Sequence, residues 1–173
     1  PSTLEALLRR FRDKPLEFTP GAQMRYSNSG YALLGVVVEK ASGLGYAQFL
    51  DANIFQPLGM KDSGYESNVA LLPRRAAGYT PGPNGIGNAS YVHMSVPYSA
   101  GALYSTVADL HRWTRGLFAN KVISAASLAK MLTPAKDDYA LGVAVSSTDI
   151  GRVVQHGGGI NGFNSQLAYY PDS

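Results

Sequence analysis

The sequence predicts an α+β fold, with a helical cluster over residues 1–135 followed by an antiparallel β-meander over residues 136–173. Two observations predict it. Up to Met131 the apolar residues recur at helical spacing, as in Leu4, Leu7, Leu8 and Phe11 or in Leu110, Trp113, Leu117 and Phe118. From Tyr139 onward the pattern changes to three short runs joined by connections of hairpin length. Helices and strands that are segregated along a chain, and not alternating, belong to the α+β class. At 173 residues the chain suits one domain with a sizeable core.

The elements follow in order. Ser2-Thr3-Leu4-Glu5 predicts a capping box with Ser2 as cap, and Lys14-Pro15 stops the helix it starts. Residues 16–25 form a connector. A helix from Ser29 to Ala41 carries Leu33, Leu34, Val36, Val37 and Val38, so it is apolar almost all round and is expected to be buried. Ser42-Gly43 ends it. A further helix spans Tyr46 to Ile54, with Phe49, Leu50 and Ile54 inward, and Gln56-Pro57-Leu58-Gly59 terminates it. Residues 62–97 read as a long structureless stretch containing Pro73, Pro81, Pro83, an Asn84-Gly85 turn and Pro97. Such stretches are more often functional than accidental. Thr106 caps the next helix, with Asp109 three residues on, and a short helix from Ser124 to Met131 stops before Pro134. Strands are expected at Tyr139–Val145, Arg152–His156 and Phe163–Tyr170. No internal repeat or low-complexity tract interrupts them.

Composition removes several functions. The 15 Lys plus Arg against 12 Asp plus Glu give a net charge of +3, too weak a field to argue for nucleic acid. The run Arg9-Arg10-Phe11-Arg12-Asp13-Lys14 is broken by an acid and reads as a solvated helix face. The absence of Cys rules out disulfides and thiolate chemistry within these residues. No apolar run approaches the ~18 residues of a membrane span, and no leader pattern opens the chain. His93, His111 and His156 lack metal-ligand spacing, so neither metal nor other cofactor is expected.

Two stretches could carry chemistry. The first is Pro20-Gly21-Ala22-Gln23-Met24-Arg25-Tyr26-Ser27-Asn28-Ser29-Gly30-Tyr31-Ala32-Leu33-Leu34-Gly35. It sets Tyr26 and Asn28 on a rigid loop between a turn and a helix start, where Ser27, Asn28 or Ser29 could cap. A phenol has an unperturbed pKa of about 10, so Tyr26 would need a nearby cation to act as a base. It could equally be one of the 11 tyrosines that only pack. The second stretch is His156-Gly157-Gly158-Gly159. Successive glycines clear side chains from a strand edge, so a substrate carbonyl could approach a backbone N–H. A flexible turn between strands is the plain alternative. Gly157, Gly159 and Gly162 also satisfy G-x-G-x-x-G, but a dinucleotide fingerprint needs a helix next and a strand is expected here.

Together the two stretches resemble the second and third signatures of the serine β-lactamase and penicillin-recognising hydrolases, in the class C and D-Ala-D-Ala carboxypeptidase branch with its related esterases. The resemblance implies a β-lactamase/transpeptidase-like fold and acyl transfer from an amide or ester to a serine. It further implies that Tyr26 shuttles a proton, that Asn28 bonds substrate, that His156 fills the electropositive strand position and that the Gly159 N–H forms half of an oxyanion hole. Gly157, Gly158, Gly101 and Ser105 would line the substrate, a small molecule or peptide. Family members are often periplasmic or extracellular in bacteria, but these residues fix no compartment.

The chain departs from the family pattern in three ways. Residues 1–25 contain no Ser-x-x-Lys. The one match, Ser127-Leu128-Ala129-Lys130, follows Tyr26 where the family places it before, on what reads as a surface helix. The sequence also stops one strand after His156, so it reads as an internal fragment: a single partial domain, inactive on its own, with an exposed sheet edge through which copies could associate. The other reading is a non-catalytic fragment that binds peptidoglycan-like or β-lactam ligands without turnover. Finally, His156-Gly157 stands where many relatives carry Lys-Thr or Lys-Ser. An imidazole is only partly charged near neutral pH and glycine has no hydroxyl, which puts carboxylate recognition in question and makes an esterase or an unusual peptidase as credible as a true β-lactamase.

Overall fold

The computed structural model describes residues 2–172. Six α-helical segments and seven strands follow one another as expected in outline, helices first and a three-stranded antiparallel sheet last. Among the described residues no helix is long and apolar enough to cross a membrane.

Helix α1 covers Leu4–Arg9. Its cap is Thr3, whose hydroxyl accepts from the Ala6 N–H, and not Ser2, whose N–H is drawn instead to the Ser95 hydroxyl at 2.7 Å. Leu7 is buried and Leu4, Leu8 and Phe11 are half-buried beside it, so the expected face holds. Helix α2 covers Asn28–Ser42 and ends at Gly43, which takes a left-handed φ of 72°. The expectation that it is buried all round fails. Ala32 and Gly35 are buried, but Leu33, Leu34 and Val37 are 48%, 55% and 54% exposed. The buried face is the one with small residues, because it lies against the 3₁₀ turn Tyr98–Ala100, whose Ser99 hydroxyl bonds the Tyr31 carbonyl at 2.8 Å.

Helices α3 (Tyr46–Leu50) and α4 (Gln56–Leu58) are one rod interrupted by a π turn at Asp51–Phe55. Pro57 supplies the reason. A proline has no N–H and its ring collides with the carbonyl four residues back. Widening the preceding turn, so that Gln56 N–H reaches the Asp51 carbonyl, lets the chain continue. The rod then buries Leu50 and Phe55 with Met60, flanked by Tyr46, Phe49, Ile54, Leu58 and Trp113. Trp113 comes from α5 (Val107–Phe118), which is capped by Thr106 as its sequence predicts.

The stretch 62–97 is not structureless. It contains β1 (Gly64–Tyr65) and the hairpin β2 (Tyr79–Gly82) with β3 (Gly85–Asn88), turned at Gly85 with φ 107°. Strand β1 pairs with β4 (Leu103–Tyr104), so this segment is tied to the residues ahead of α5. The prolines hid the strands, since hairpin pairing here needs only alternate N–H groups.

Helix α6 (Ala125–Met131), capped by Ser124, leads to the sheet β5 (Ala144–Thr148), β6 (Gly151–Ile160) and β7 (Phe163–Tyr169). Strand β5 starts five residues later than Tyr139. Asp137 and Asp138 take positive φ values of 50° and 58°, and Gly142 takes 83°, which keeps 137–143 folded as turns. Strand β6 is longer than expected, because all three glycines are in it and pair with Gln166, Ser165 and Asn164. Ala140, Val145 and Val154 form the sheet's buried cluster, packed by Phe118 and Leu132.

Candidate active site

Tyr26, Asn28 and Ser29 lie at the N-terminal end of α2, and His156, Gly157, Gly158 and Gly159 on β6. Both groups line one open groove of about 1930 Å³. Gly101, Ser105 and, from β7, Ser165 are among the other residues that line it. The geometry thus brings together every residue the sequence singled out. Ser127 is not among them: it is exposed on α6 and bonds the Ser124 hydroxyl.

The local reasons are simple. Ser27, in extended conformation, accepts from the Gly30 N–H and starts α2. That fixes Tyr26 just outside the helix. Its ring stacks on Tyr31 at 5.4 Å and lies 5.9 Å from the His156 ring. Partial burial, followed by the neighbouring Tyr31, raises the Tyr26 phenol above its ordinary value. The cation that would lower it is not part of that surrounding.

The hydrogen-bond parity of β6 fixes what it offers the groove. In an antiparallel ladder, residues alternate between bonding one neighbour and facing the other. The pair flanking a two-residue connection is a bonded one. At the β6–β7 connection that pair is Ile160 and Phe163, so 160, 158 and 156 bond to β7. At the β5–β6 connection it is Thr148 and Gly151, so 151, 153 and 155 bond to β5. The two counts agree. The next odd residues, Gly157 and Gly159, therefore turn their N–H and C=O towards β5, whose ladder has ended at Ala144 opposite Gln155. Their backbone groups face the groove. A Cβ at Gly158 would stand 2.6 Å from the Ser165 Oγ, which would have to rotate away, whereas Gly159 has ordinary space around it.

His156 is held on both nitrogens. Its Nδ1 is 2.6 Å from the Gly157 carbonyl and its Nε2 is 2.9 Å from the Tyr139 hydroxyl, which in turn meets the Tyr31 hydroxyl at 2.8 Å. Tyr139 and Tyr31 are the site residues that sequence reasoning missed. They sit 17 and 125 residues from His156, and nothing in their local spacing connects them.

Ser105 behaves as part of the scaffold at the groove's edge. Its hydroxyl meets that of Ser63 at 2.7 Å, and Ser63 donates to the fully buried Asp109 carboxylate at 2.8 Å. Asp109 is a helix-start residue, as expected. No group of three or more His, Asp or Glu that could hold a metal ion occurs among the described residues.

A family profile described as Beta-lactamase matches residues 1–173. The chain belongs to the β-lactamase family. Among relatives of this β-lactamase-family chain, penicillin-binding protein 4* of Bacillus subtilis is 33% identical over 90% of it and 39% of the relative. Esterase EstB of Burkholderia gladioli is 43% identical over 43% of the chain and 18% of the relative. The structure of a D-stereospecific amidohydrolase from Streptomyces superposes with a TM-score of 0.86 at 26% identity, covering 99% of this chain and 54% of that one. The fold is therefore that of the β-lactamase and transpeptidase-like hydrolases, and the chain spans about half or less of the length of these relatives.

Proposed function

We propose that this chain supplies part of the active site of a serine hydrolase that acts by acyl transfer on an amide or ester, such as a β-lactam, a D-Ala-D-Ala peptide or a simple ester. One observation carries the reading: Tyr26 and Asn28 share a groove with the unpaired edge of Gly157 and Gly159. Backbone N–H groups aimed at a developing oxyanion are worth roughly 3–4 kcal/mol in such reactions. Gly159 is the donor with the clearest approach. Tyr26 would return a proton to the leaving group, a role its raised pKa suits better than that of resting base. The penicillin-binding, esterase and amidohydrolase names of the relatives support the amide-or-ester class.

In this reading the nucleophile would be a Ser-x-x-Lys serine, an element that residues 1–173 hold only as Ser127–Lys130 on the exposed α6. These 173 residues alone should therefore bind without turnover. The test is incubation with a chromogenic cephalosporin, a nitrophenyl ester and a D-amino acid amide, followed by intact-mass spectrometry. No covalent adduct is expected on the 173 residues. In a polypeptide with Ser-x-x-Lys continuous with Pro1, one acyl adduct is expected, and Tyr26→Phe should slow turnover by about 10²–10⁴-fold. An adduct on Ser127 would overturn the assignment. Strand β7 has no partner on its outer side among the described residues. Association of copies through that edge is expected as a rise in scattering mass with concentration.

A further inference from the structure

We infer that Tyr139, braced by Tyr31, is a positioning residue that fixes the tautomer of His156, so that the imidazole caps the Gly157 carbonyl and offers the groove no free ring nitrogen. The inference deepens the proposed hydrolase site and rests on that reading for its meaning, though not for its geometry.

The direction of each bond follows from what each atom can do. A carbonyl oxygen only accepts, so the 2.6 Å contact to Gly157 places the proton on His156 Nδ1. In the neutral ring Nε2 is then an acceptor, and the 2.9 Å contact makes the Tyr139 hydroxyl its donor. A phenol has one proton. With that proton committed, the 2.8 Å contact makes Tyr31 the donor to Tyr139. The chain runs Tyr31 to Tyr139 to His156 to Gly157. Burial raises the Tyr139 phenol, which keeps it protonated and able to donate. If the ring gains a proton, the Nε2–H donates to the Tyr139 oxygen and the Tyr139 proton turns to Tyr31. Both nitrogens stay occupied in either state.

The ladder parity says why Gly157 needs this. Its carbonyl points off the sheet beyond the end of β5, with no strand to receive it. Left bare, that acceptor would stand beside the Gly159 N–H and repel an oxyanion drawn to it. The His156 cap turns this part of the edge toward donors. A carboxylate, in contrast, finds no donor on the ring. The substrate class this wall takes is a neutral ester or amide, not a group recognised by its negative charge.

The experiment is a long-range proton–nitrogen correlation spectrum of the nitrogen-15-labelled chain, with the His156 ring assigned by its loss in His156→Gln. The expected result is a proton held on Nδ1, the tautomer that free histidine disfavours. In Tyr139→Phe, with a circular dichroism spectrum like that of the parent, the Nδ1–H to Nε2–H ratio should fall about fivefold, the equivalent of one neutral hydrogen bond. Tyr31→Phe, which keeps Tyr139, should shift it in the same direction by less. This second variant decides the matter if Tyr139→Phe fails to fold. Sodium acetate as a carboxylate probe should leave the ring resonances in place. A parent ring protonated on Nε2, an unmoved ratio in the folded variants, or a ring shifted by acetate would each overturn the inference. None of these readouts requires turnover, so failure of the hydrolase reading would be seen separately, as absence of an acyl adduct in the extended polypeptide.

Discussion

Asp109→Ala is expected to lower the stability of the chain by about 3 kcal/mol, within the roughly 3–5 kcal/mol typical of breaking a buried charged network. The carboxylate is fully buried. One oxygen accepts from the Asp62 N–H and the Ser63 hydroxyl, each at 2.8 Å, and the other from Arg112 at 2.6 Å. Truncation leaves the Asp62 N–H without its acceptor, at about 1–3 kcal/mol, and the Ser63 hydroxyl with only that of Ser105 to turn to, at about 1 kcal/mol. Arg112 is half exposed and turns to water, which is why the lower end of the range applies. Asp109→Asn keeps the shape and should cost about half as much. The measurement is a urea midpoint at neutral pH.

The same carboxylate makes stability pH-dependent. Burial by itself would raise its pKa, but donation from Ser63, from the Asp62 N–H and from Arg112 outweighs burial, and the net shift is downward. A group whose folded pKa is depressed takes up fewer protons folded than unfolded as pH falls. Its contribution is therefore complete above the ordinary carboxylate range and is lost as pH drops through the depressed value. The parent should lose urea resistance below about pH 4, and Asp109→Asn should show a shallower acid limb. A variant with the parent's acid limb would assign the effect to other carboxylates.

Gly35→Ala is the second large effect. In an exposed helix the change would stabilise by about 1 kcal/mol. Here the added Cβ would stand 2.1 Å from the Ser99 Oγ, 2.5 Å from its Cβ and 2.8 Å from the Tyr98 ring. Overpacking of this kind costs about 1–3 kcal/mol. Displacing Ser99 also breaks the one hydroxyl bond it shares between the Tyr31 and Ala32 carbonyls, at about 1 kcal/mol. Loss wins by about 2 kcal/mol, which is a fall in Tm of about 4–8 °C for a chain of this size. Ser99→Gly in the same chain should recover part of the loss, because it removes the atoms that collide. Additive losses would show that the contact is not the cause.

Much of the candidate site is legible in the sequence. Tyr26 and Asn28 follow from a turn, an extended residue and a cap within one short stretch, all of them local events. The α5 stripe and its Thr106 cap, the α6 helix and the strand character of 163–169 are likewise encoded in short-range periodicity. These residues determine the α+β class because each element's pattern can be satisfied only one way locally.

The tertiary structure decided the remainder. Whether Leu33, Leu34 and Val37 are covered depends on what packs against α2, which no pattern within α2 states. The three glycines had no side chains to show a strand period, and only their pairing with β7 makes them one. The bond from Tyr139 to His156, with Tyr31 bonded behind it, depends on where α2 and the turn at 137–143 are brought relative to β6. Local sequence fixes the conformations with the lowest local energy. Which backbone groups then lack a partner, and which side chain satisfies them, is set by how those pieces meet.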